Sequence, residues 1–332
     1  MKLAVFDTHP FDREFFLRGN SAGQHELFFF EERLHPATAL LAHGFPAVCA
    51  FVNDQLNRET LQKLHAGGAR LIALRCAGFN NVDLKAARDL DLKVVRVPEY
   101  SPYAVAEHAL ALILTLNRKT HRAFSRVREG NFSLTGLVGF DLHGKTVGIL
   151  GTGKIGSIFA RIMRGLGCRL FAYDLRPNLE LHKEVGLQFA PLAEIYREAA
   201  IISLHLPLTP ESRHMLDHRS IAQMKKGVMI INTSRGALID TPALVEGLKT
   251  GQIGSAGLDV YEEEAGIFFE DLSGRVLQDD VLARLLTFPN VIITSHQAFL
   301  TREALERIAQ TTLQSVTAFE RSEPLQHLIQ SS

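Results

Sequence analysis

The sequence GTGKIG at residues 151–156 stands between an apolar run at 146–150 and a helical pattern. In a strand, loop and helix of this kind, Gly151 allows a tight turn and Gly153 lets a pyrophosphate approach the backbone. Gly156 lets the helix pack closely on the strand. The phosphates would then face amide groups at the positive end of the helix dipole. The segment therefore predicts a dinucleotide-binding loop in a parallel sheet.

An acidic residue, Asp174, ends the next apolar run, about 20 residues beyond the loop. A carboxylate in this position binds the ribose hydroxyl of NAD and repels the 2′-phosphate of NADP. Arg176 softens that discrimination, so NADP is disfavoured without being excluded. The alternative is a glycine-rich turn in a sheet that binds no nucleotide.

Two series of short apolar runs alternate with helical patterns along the 332 residues. The first series lies at 3–6, 27–30, 47–51, 71–74 and 93–97, and the second at 146–150, 169–173, 201–204, 228–232, 253–258 and 291–294. Runs of this kind are typical of buried parallel strands. We therefore predict an α/β fold with two doubly wound parallel-sheet domains.

A long helix is predicted between the two series. Residues 103–129 contain neither Pro nor Gly and carry apolar residues at helical spacing, so one helix of about 40 Å would join the domains. His108 lies on this helix, and we expect it to be packed or capped, not catalytic. A second helix is predicted at 303–321.

The charge and cysteine content exclude several classes of function. Lys and Arg number 36, as do Asp and Glu, which leaves no basic surface for nucleic acid or anionic lipid. No apolar stretch approaches the length of a membrane span. Cys49, Cys76 and Cys168 form no CxxC pair, and HExxH is absent, so we expect a cytoplasmic protein without disulfides or metal.

Three polar residues follow strands of the second series. Arg235 lies in NTSRG, Glu264 ends GLDVYEEE, and His296 lies in TSHQAF. The carboxyl ends of parallel strands meet at the edge where open α/β sheets bind ligands. Taken singly, each residue has an ordinary explanation as a surface cation, part of an acidic run or a helix cap.

Together these motifs resemble the D-isomer-specific 2-hydroxyacid dehydrogenases. GTGKIG with Asp174, NTSRG, GLDVYEEE and TSHQAF occur in the order and spacing of that family, over essentially the whole chain. Within the family, RCAGFNNVDL, VPEYSPYAVAEHAL and HLPLTPESRHML look most like D-lactate dehydrogenases. The resemblance implies the reversible reduction of pyruvate to D-lactate with NADH.

The resemblance also implies a set of site residues. The catalytic residues would be Arg235, Glu264 and His296. The NAD site would comprise Gly151, Gly153, Lys154, Ile155, Gly156, Asp174, Leu206, Pro207, Thr233, Ser234, Arg235, Asp259 and His296, with Asp259 also orienting the site. The substrate would meet Cys76, Ala77, Gly78, Tyr100, Arg235, His296 and Phe299.

The resemblance further implies a discontinuous substrate domain. This flavodoxin-like domain would contain residues 1–100 and 298–332, and a Rossmann NAD-binding domain would contain 101–297. Long helices would join the two, a cleft between them would close on the substrate, and two chains would form a homodimer.

The chemistry of the three residue types suits this reaction. The guanidinium of Arg235 can hold a carboxylate through planar, charge-assisted hydrogen bonds. His296 can give a proton to the carbonyl oxygen as hydride reaches the carbonyl carbon. The carboxylate of Glu264 would favour the protonated imidazolium.

Two alternatives remain open at this point. The enzyme could act on glyoxylate, hydroxypyruvate or a bulkier 2-keto acid, although Phe51, Tyr100 and Phe299 suggest a small, partly apolar pocket. The chain could instead be a dinucleotide-sensing interaction protein, like the corepressors that resemble this family.

Overall fold

The computed structural model describes residues 1–264 and 266–329. The chain divides into two compact units, one of Met1–Ser101 with the chain from Leu300 onward, and one of Pro102–Phe299. The sequence-based division also gave each unit a function, and that assignment remains a prediction.

Twelve strands and twelve α-helices are found in the described residues. The strands are β1 (Lys2–Val5), β2 (Glu26–Phe29), β3 (Ala47–Ala50), β4 (Leu71–Leu74), β5 (Lys93–Arg96), β6 (Thr146–Leu150), β7 (Arg169–Tyr173), β8 (Gln188–Phe189), β9 (Ile201–Leu204), β10 (Val228–Asn232), β11 (Ile253–Leu258) and β12 (Val291–Ile293). The helices are α1 (Pro10–Gly19), α2 (Arg58–Ala66), α3 (Leu84–Asp89), α4 (Pro102–Arg118), α5 (Thr120–Arg128), α6 (Lys154–Gly165), α7 (Leu179–Val185), α8 (Leu192–Glu198), α9 (His218–Gln223), α10 (Thr241–Thr250), α11 (Asp280–Leu286) and α12 (Arg302–Glu320).

Each unit is built on one parallel sheet. The first has the strand order β2-β1-β3-β4-β5, which is the flavodoxin-like order. The second has the order β12-β11-β10-β9-β6-β7-β8, in which the chain reverses direction across the sheet between β6 and β9. All strand pairs within both sheets are parallel. The predicted fold class is therefore confirmed.

Helices cover both faces of the second sheet. One apolar core lies on the side of α4, α6 and α7, and another on the side of α8 to α11. Because both faces are covered, β6, β9 and β10 are buried along their whole length. A ligand site is therefore expected at the ends of the strands.

The prediction of a single helix at 103–129 is wrong. Helix α4 ends at Arg118, Lys119 adopts a left-handed conformation with φ of 50°, and α5 begins at Thr120. The break is held by tertiary contacts, because the Asn117 side chain bonds both the N–H and the C=O of Phe140, and Lys119 Nζ donates to the carbonyl oxygen of Val138.

The short strand β8 was not predicted, because two residues carry no periodic pattern. Within residues 1–264 and 266–329, every helix is too short or too polar to cross a membrane.

Candidate active site

The glycine loop between β6 and α6 has three glycines with different roles. Gly151 has φ of 97°, and a Cβ there would lie 2.5 Å from the carbonyl oxygen of His205. A Cβ on Gly156 would lie 2.0 Å from the carbonyl oxygen of Gly151. A Cβ on Gly153 would meet no atom within 4 Å. The fold itself requires the outer two glycines, whereas the middle one leaves open space that fits a pyrophosphate.

The carboxylate of Asp174 lies beside this loop, at the end of β7. Its Oδ2 accepts hydrogen bonds from the N–H of Thr152 at 2.6 Å and from the Thr152 hydroxyl at 2.8 Å, and its Oδ1 accepts one from the N–H of Arg176. Burial alone would raise the pKa of Asp174, but these hydrogen bonds outweigh it and hold the pKa below its usual value. The group is therefore an anion at neutral pH.

Polar groups also follow β9 and β10 on the same edge of the sheet. The hydroxyl oxygen of Thr233 is buried and has no hydrogen-bond partner among the described residues. A buried polar atom of this kind fits a site that a ligand completes. The Leu206 side chain lies near Gly151, and the Ser234 hydroxyl donates to the carbonyl oxygen of Leu204 at 2.8 Å.

Arg235 follows β10 in a loop that is tied to the end of β11. Its carbonyl oxygen accepts a hydrogen bond from the Asn232 side chain at 2.8 Å, and its Nη1 donates to the carbonyl oxygen of Ser234 at 2.6 Å. The next residue, Gly236, packs so closely on the backbone of Tyr261 that a Cβ would lie 2.1 Å from its carbonyl carbon. This contact fixes the loop of Arg235 against the segment that carries Glu264.

His296 and Glu264 form a hydrogen-bonded pair. Nδ1 of His296 lies 2.9 Å from Oε1 of Glu264, and the other carboxylate oxygen accepts from the N–H of Tyr261 at 3.2 Å. Both side chains are mostly buried, with exposed fractions of 17% and 18%. His296 has φ of 49°, a conformation that costs a non-glycine residue about 1 kcal/mol or more. Surrounding contacts must therefore hold it.

Asp259 supplies those contacts. Its carbonyl oxygen accepts from the N–H of His296 at 2.7 Å. Its buried carboxylate accepts three further hydrogen bonds, from the Thr294 hydroxyl at 2.5 Å, the N–H of Gln297 at 2.9 Å and the N–H of Ala298 at 2.9 Å. One side chain thus binds residues on both sides of the histidine.

The second unit carries every residue predicted to be catalytic or to bind NAD, at the ends of its strands, in the loops that follow them or in the first turn of α6. Phe269, whose ring stacks on that of His296 with centroids 6.0 Å apart, was missed, because nothing in its sequence surroundings marks it. Cys76, Ala77, Gly78 and Tyr100 belong to the first unit, and their substrate contacts remain predictions, as does that of Phe299. The described chain contains no cluster of three His, Cys, Asp or Glu side chains suited to a metal ion.

A family sequence model described as D-isomer specific 2-hydroxyacid dehydrogenase, NAD binding domain, matches residues 110–298. The chain belongs to this family. It is 53% identical to the D-lactate dehydrogenase of Escherichia coli strain K12, over 97% of this chain and 98% of that protein. The predicted family membership is confirmed.

Solved structures agree with this assignment. The apo-structure of D-lactate dehydrogenase from Escherichia coli is similar with a TM-score of 0.92, 49% identity and coverage of 99% of this chain and 100% of that one. The D-lactate dehydrogenase with NAD+ from Lactobacillus jensenii has a TM-score of 0.83 and 31% identity over the full length of both chains. This member of the family is thus an NAD-dependent D-2-hydroxyacid dehydrogenase, as the resemblance implied, and NAD is the cofactor that the loop and Asp174 predicted.

Proposed function

We propose that the protein is a D-lactate dehydrogenase, which reduces pyruvate to D-lactate with NADH. The observation that carries the proposal is the pair of His296 and Glu264, held by Asp259 on the sheet edge where the glycine loop and Arg235 also lie. Relatives named as D-lactate dehydrogenases, at 53% identity from Escherichia coli and 47% from Curvularia clavata, support the choice of substrate.

Arg235 binds the carboxylate of pyruvate in this proposal. Its guanidinium is planar and permanently charged, so it can make two parallel hydrogen bonds to a carboxylate and orient the neighbouring carbonyl group. Bound NADH supplies the hydride that the carbonyl carbon takes up. Negative charge then develops on the carbonyl oxygen and must be neutralised.

His296 neutralises that oxygen by donating a proton. Its Nδ1 is engaged by Glu264, so Nε2 is the atom that faces the reaction. The carboxylate of Glu264 accepts a hydrogen bond from the Nδ1–H group and fixes the orientation of the ring. In the reverse direction, neutral His296 accepts the hydroxyl proton of D-lactate through the same nitrogen.

The test is direct. Protein, NADH and pyruvate are mixed and the absorbance at 340 nm is followed, with glyoxylate, hydroxypyruvate and 2-ketoisocaproate as competing substrates. We expect the highest kcat/KM for pyruvate, and oxidation of D-lactate but not L-lactate with NAD+. If another acid has a higher kcat/KM, that acid and not pyruvate is the preferred substrate. If the protein binds NADH but reduces none of these acids, it is a dinucleotide sensor.

We also propose that two copies associate through α5 and the segment after it. Helix α5 buries none of its residues, and exposed apolar side chains continue beyond it. These side chains are Phe124, Val127, Phe132, Leu134 and Val138, each more than half exposed. Monomeric proteins rarely expose so many apolar groups along one stretch, and a two-fold homodimer is the commonest way to cover them.

Sedimentation velocity tests this association. We expect a dimer for the natural chain and a monomer for the double variant Phe132→Asp, Val138→Asp. A monomeric natural chain would contradict it. A cytoplasmic location also belongs to the proposal, since three widely spaced cysteines give no disulfide framework, and cell fractionation would check it.

A further inference from the structure

His108 contacts the network that holds the catalytic histidine. It lies in α4, far from His296 in sequence, and its Nε2 is 3.0 Å from the hydroxyl oxygen of Thr294. The same nitrogen is 3.4 Å from Oδ1 of Asp259. The ring is 18% exposed, so it is mostly removed from water and these two groups are its polar surroundings on that side.

The direction of these hydrogen bonds follows from the number of protons. The hydroxyl of Thr294 has one proton, which it donates to Oδ1 of Asp259 at 2.5 Å. It can therefore only accept from His108, whose Nε2 must carry a proton. The result is a chain of hydrogen bonds in which His108 donates to Thr294 and Thr294 donates to Asp259. The carboxylate of Asp259 bonds residues before and after His296, whose backbone is in the left-handed conformation.

We propose that His108 is a positioning residue for His296 and acts through Thr294 and Asp259. Its hydrogen bond fixes the rotamer of Thr294, which keeps Oδ1 of Asp259 aimed at the segment after β12. Without it the Thr294 hydroxyl can rotate, and the strained segment loses part of its support. The inference rests on the proposed role of His296 as proton donor.

The position of His108 separates this role from a purely structural one. Helix α4 is anchored by eight buried residues, among them Ala109, Leu112, Ile113 and Leu116. Loss of a partly exposed imidazole should leave that packing in place. The effect should therefore appear in turnover, with NADH affinity and fold unchanged.

Steady-state kinetics of pyruvate reduction test the proposal with His108→Leu and His108→Gln. For His108→Leu we expect kcat to fall about tenfold while the KM values for NADH and pyruvate stay within about twofold, because the lost hydrogen bond orients the proton donor and binds no substrate. His108→Gln can place an amide N–H near the Nε2 position and should recover most of kcat. His218→Leu, the same change at an exposed histidine, is the control.

A double-mutant cycle with Thr294→Val tests the route of the effect. If His108 acts through the hydroxyl, His108→Leu in the Thr294→Val background should change kcat less than about twofold. If the kcat losses of His108→Leu and Thr294→Val multiply in the double variant, the proposal is wrong. An unchanged kcat for His108→Leu, or no recovery of kcat in His108→Gln, would also overturn it. NADH binding, followed by fluorescence titration, verifies that each variant is folded. A natural enzyme inactive on pyruvate would contradict the proposed function and not this inference, which any accepted 2-keto acid could then test.

Discussion

Nδ1 of His296 lies 2.9 Å from Oε1 of Glu264, while the second oxygen of that carboxylate is held by the N–H of Tyr261. Both carboxylate oxygens therefore have fixed partners. The acid thus fixes the orientation of the imidazole, and an amide cannot replace it fully, because an amide has one acceptor oxygen for two N–H donors.

Glu264→Gln should therefore lower the turnover number for pyruvate. The single amide oxygen can accept from Nδ1 of His296 or from the N–H of Tyr261, so one of the two hydrogen bonds that orient the ring is lost. We expect kcat to fall about tenfold with a smaller change in KM. Initial rates at varied pyruvate concentrations measure both constants.

Glu263→Gln is a suitable control, since it makes the same change at the exposed neighbouring residue. We expect its kcat to match that of the natural enzyme. If Glu264→Gln left kcat unchanged, the carboxylate of Glu264 would not orient the proton donor.

Substitutions at Arg235 and His296 should affect different kinetic constants. Arg235→Lys keeps the charge but loses the planar pair of donors, so the KM for pyruvate should rise about tenfold to a hundredfold with a smaller change in kcat. His296→Ala removes the proton donor, so kcat should fall about a hundredfold or more with little change in KM. Equal effects of both variants on both constants would refute this division.

The parts of the fold that depend on local pattern were predictable from the sequence. Buried parallel strands are continuous apolar runs, and the glycine loop is required by contacts at distances that exclude a side chain, as at Gly156. The shared location of Arg235, Glu264 and His296 followed from the rule that strands of a parallel sheet end at one edge.

The parts that depend on long-range contacts were not predictable in this way. The break at Lys119 is held by residues near Phe140, and a helical pattern without Pro or Gly cannot indicate it. The contact of His108 with Thr294 joins residues 186 positions apart, so no spacing rule reveals it. The positioning role proposed for His108 therefore depends on a contact that only the folded structure shows.

Gly153→Ala should weaken NADH binding and leave stability unchanged, whereas Gly156→Ala should lower the stability of the fold. Gly153 has φ of −63° and an open Cβ direction, so alanine fits the protein itself but occupies the space expected for the pyrophosphate. We expect an almost unchanged melting temperature and an NADH Kd raised about tenfold or more. Gly156→Ala meets the backbone of Gly151 and should cost about 1–3 kcal/mol in the free energy of unfolding.

Calorimetry and NADH fluorescence titration measure both properties. A Gly153→Ala variant that bound NADH normally would show that the pyrophosphate does not use this space. A Gly156→Ala variant of normal stability would show that the loop can relax away from α6.

His205 should make the protein less stable in acid. The residue follows β9 and is partly exposed, but its Nδ1 is buried and has no partner among the described residues, and its Nε2 lies 2.9 Å from the Ser203 hydroxyl. Burial lowers the pKa of His205 to about 3. Below about pH 6.5 His205 is protonated in the unfolded chain but stays neutral in the folded protein. The free energy of unfolding therefore falls as the pH drops from 6.5 towards 3.

His205→Gln can keep the hydrogen bond to Ser203 and cannot take up a proton in this range. Between pH 7 and pH 5 the natural protein should lose about 1–2 kcal/mol more unfolding free energy than the variant. Urea unfolding at both values, followed by circular dichroism, measures the difference, and His218→Gln at the exposed start of α9 should behave like the natural protein. If His205→Gln lost as much stability in acid as the natural chain, the buried ring would be protonated in the folded protein, with its Nδ1 bonded to a water or carbonyl group that relieves its burial.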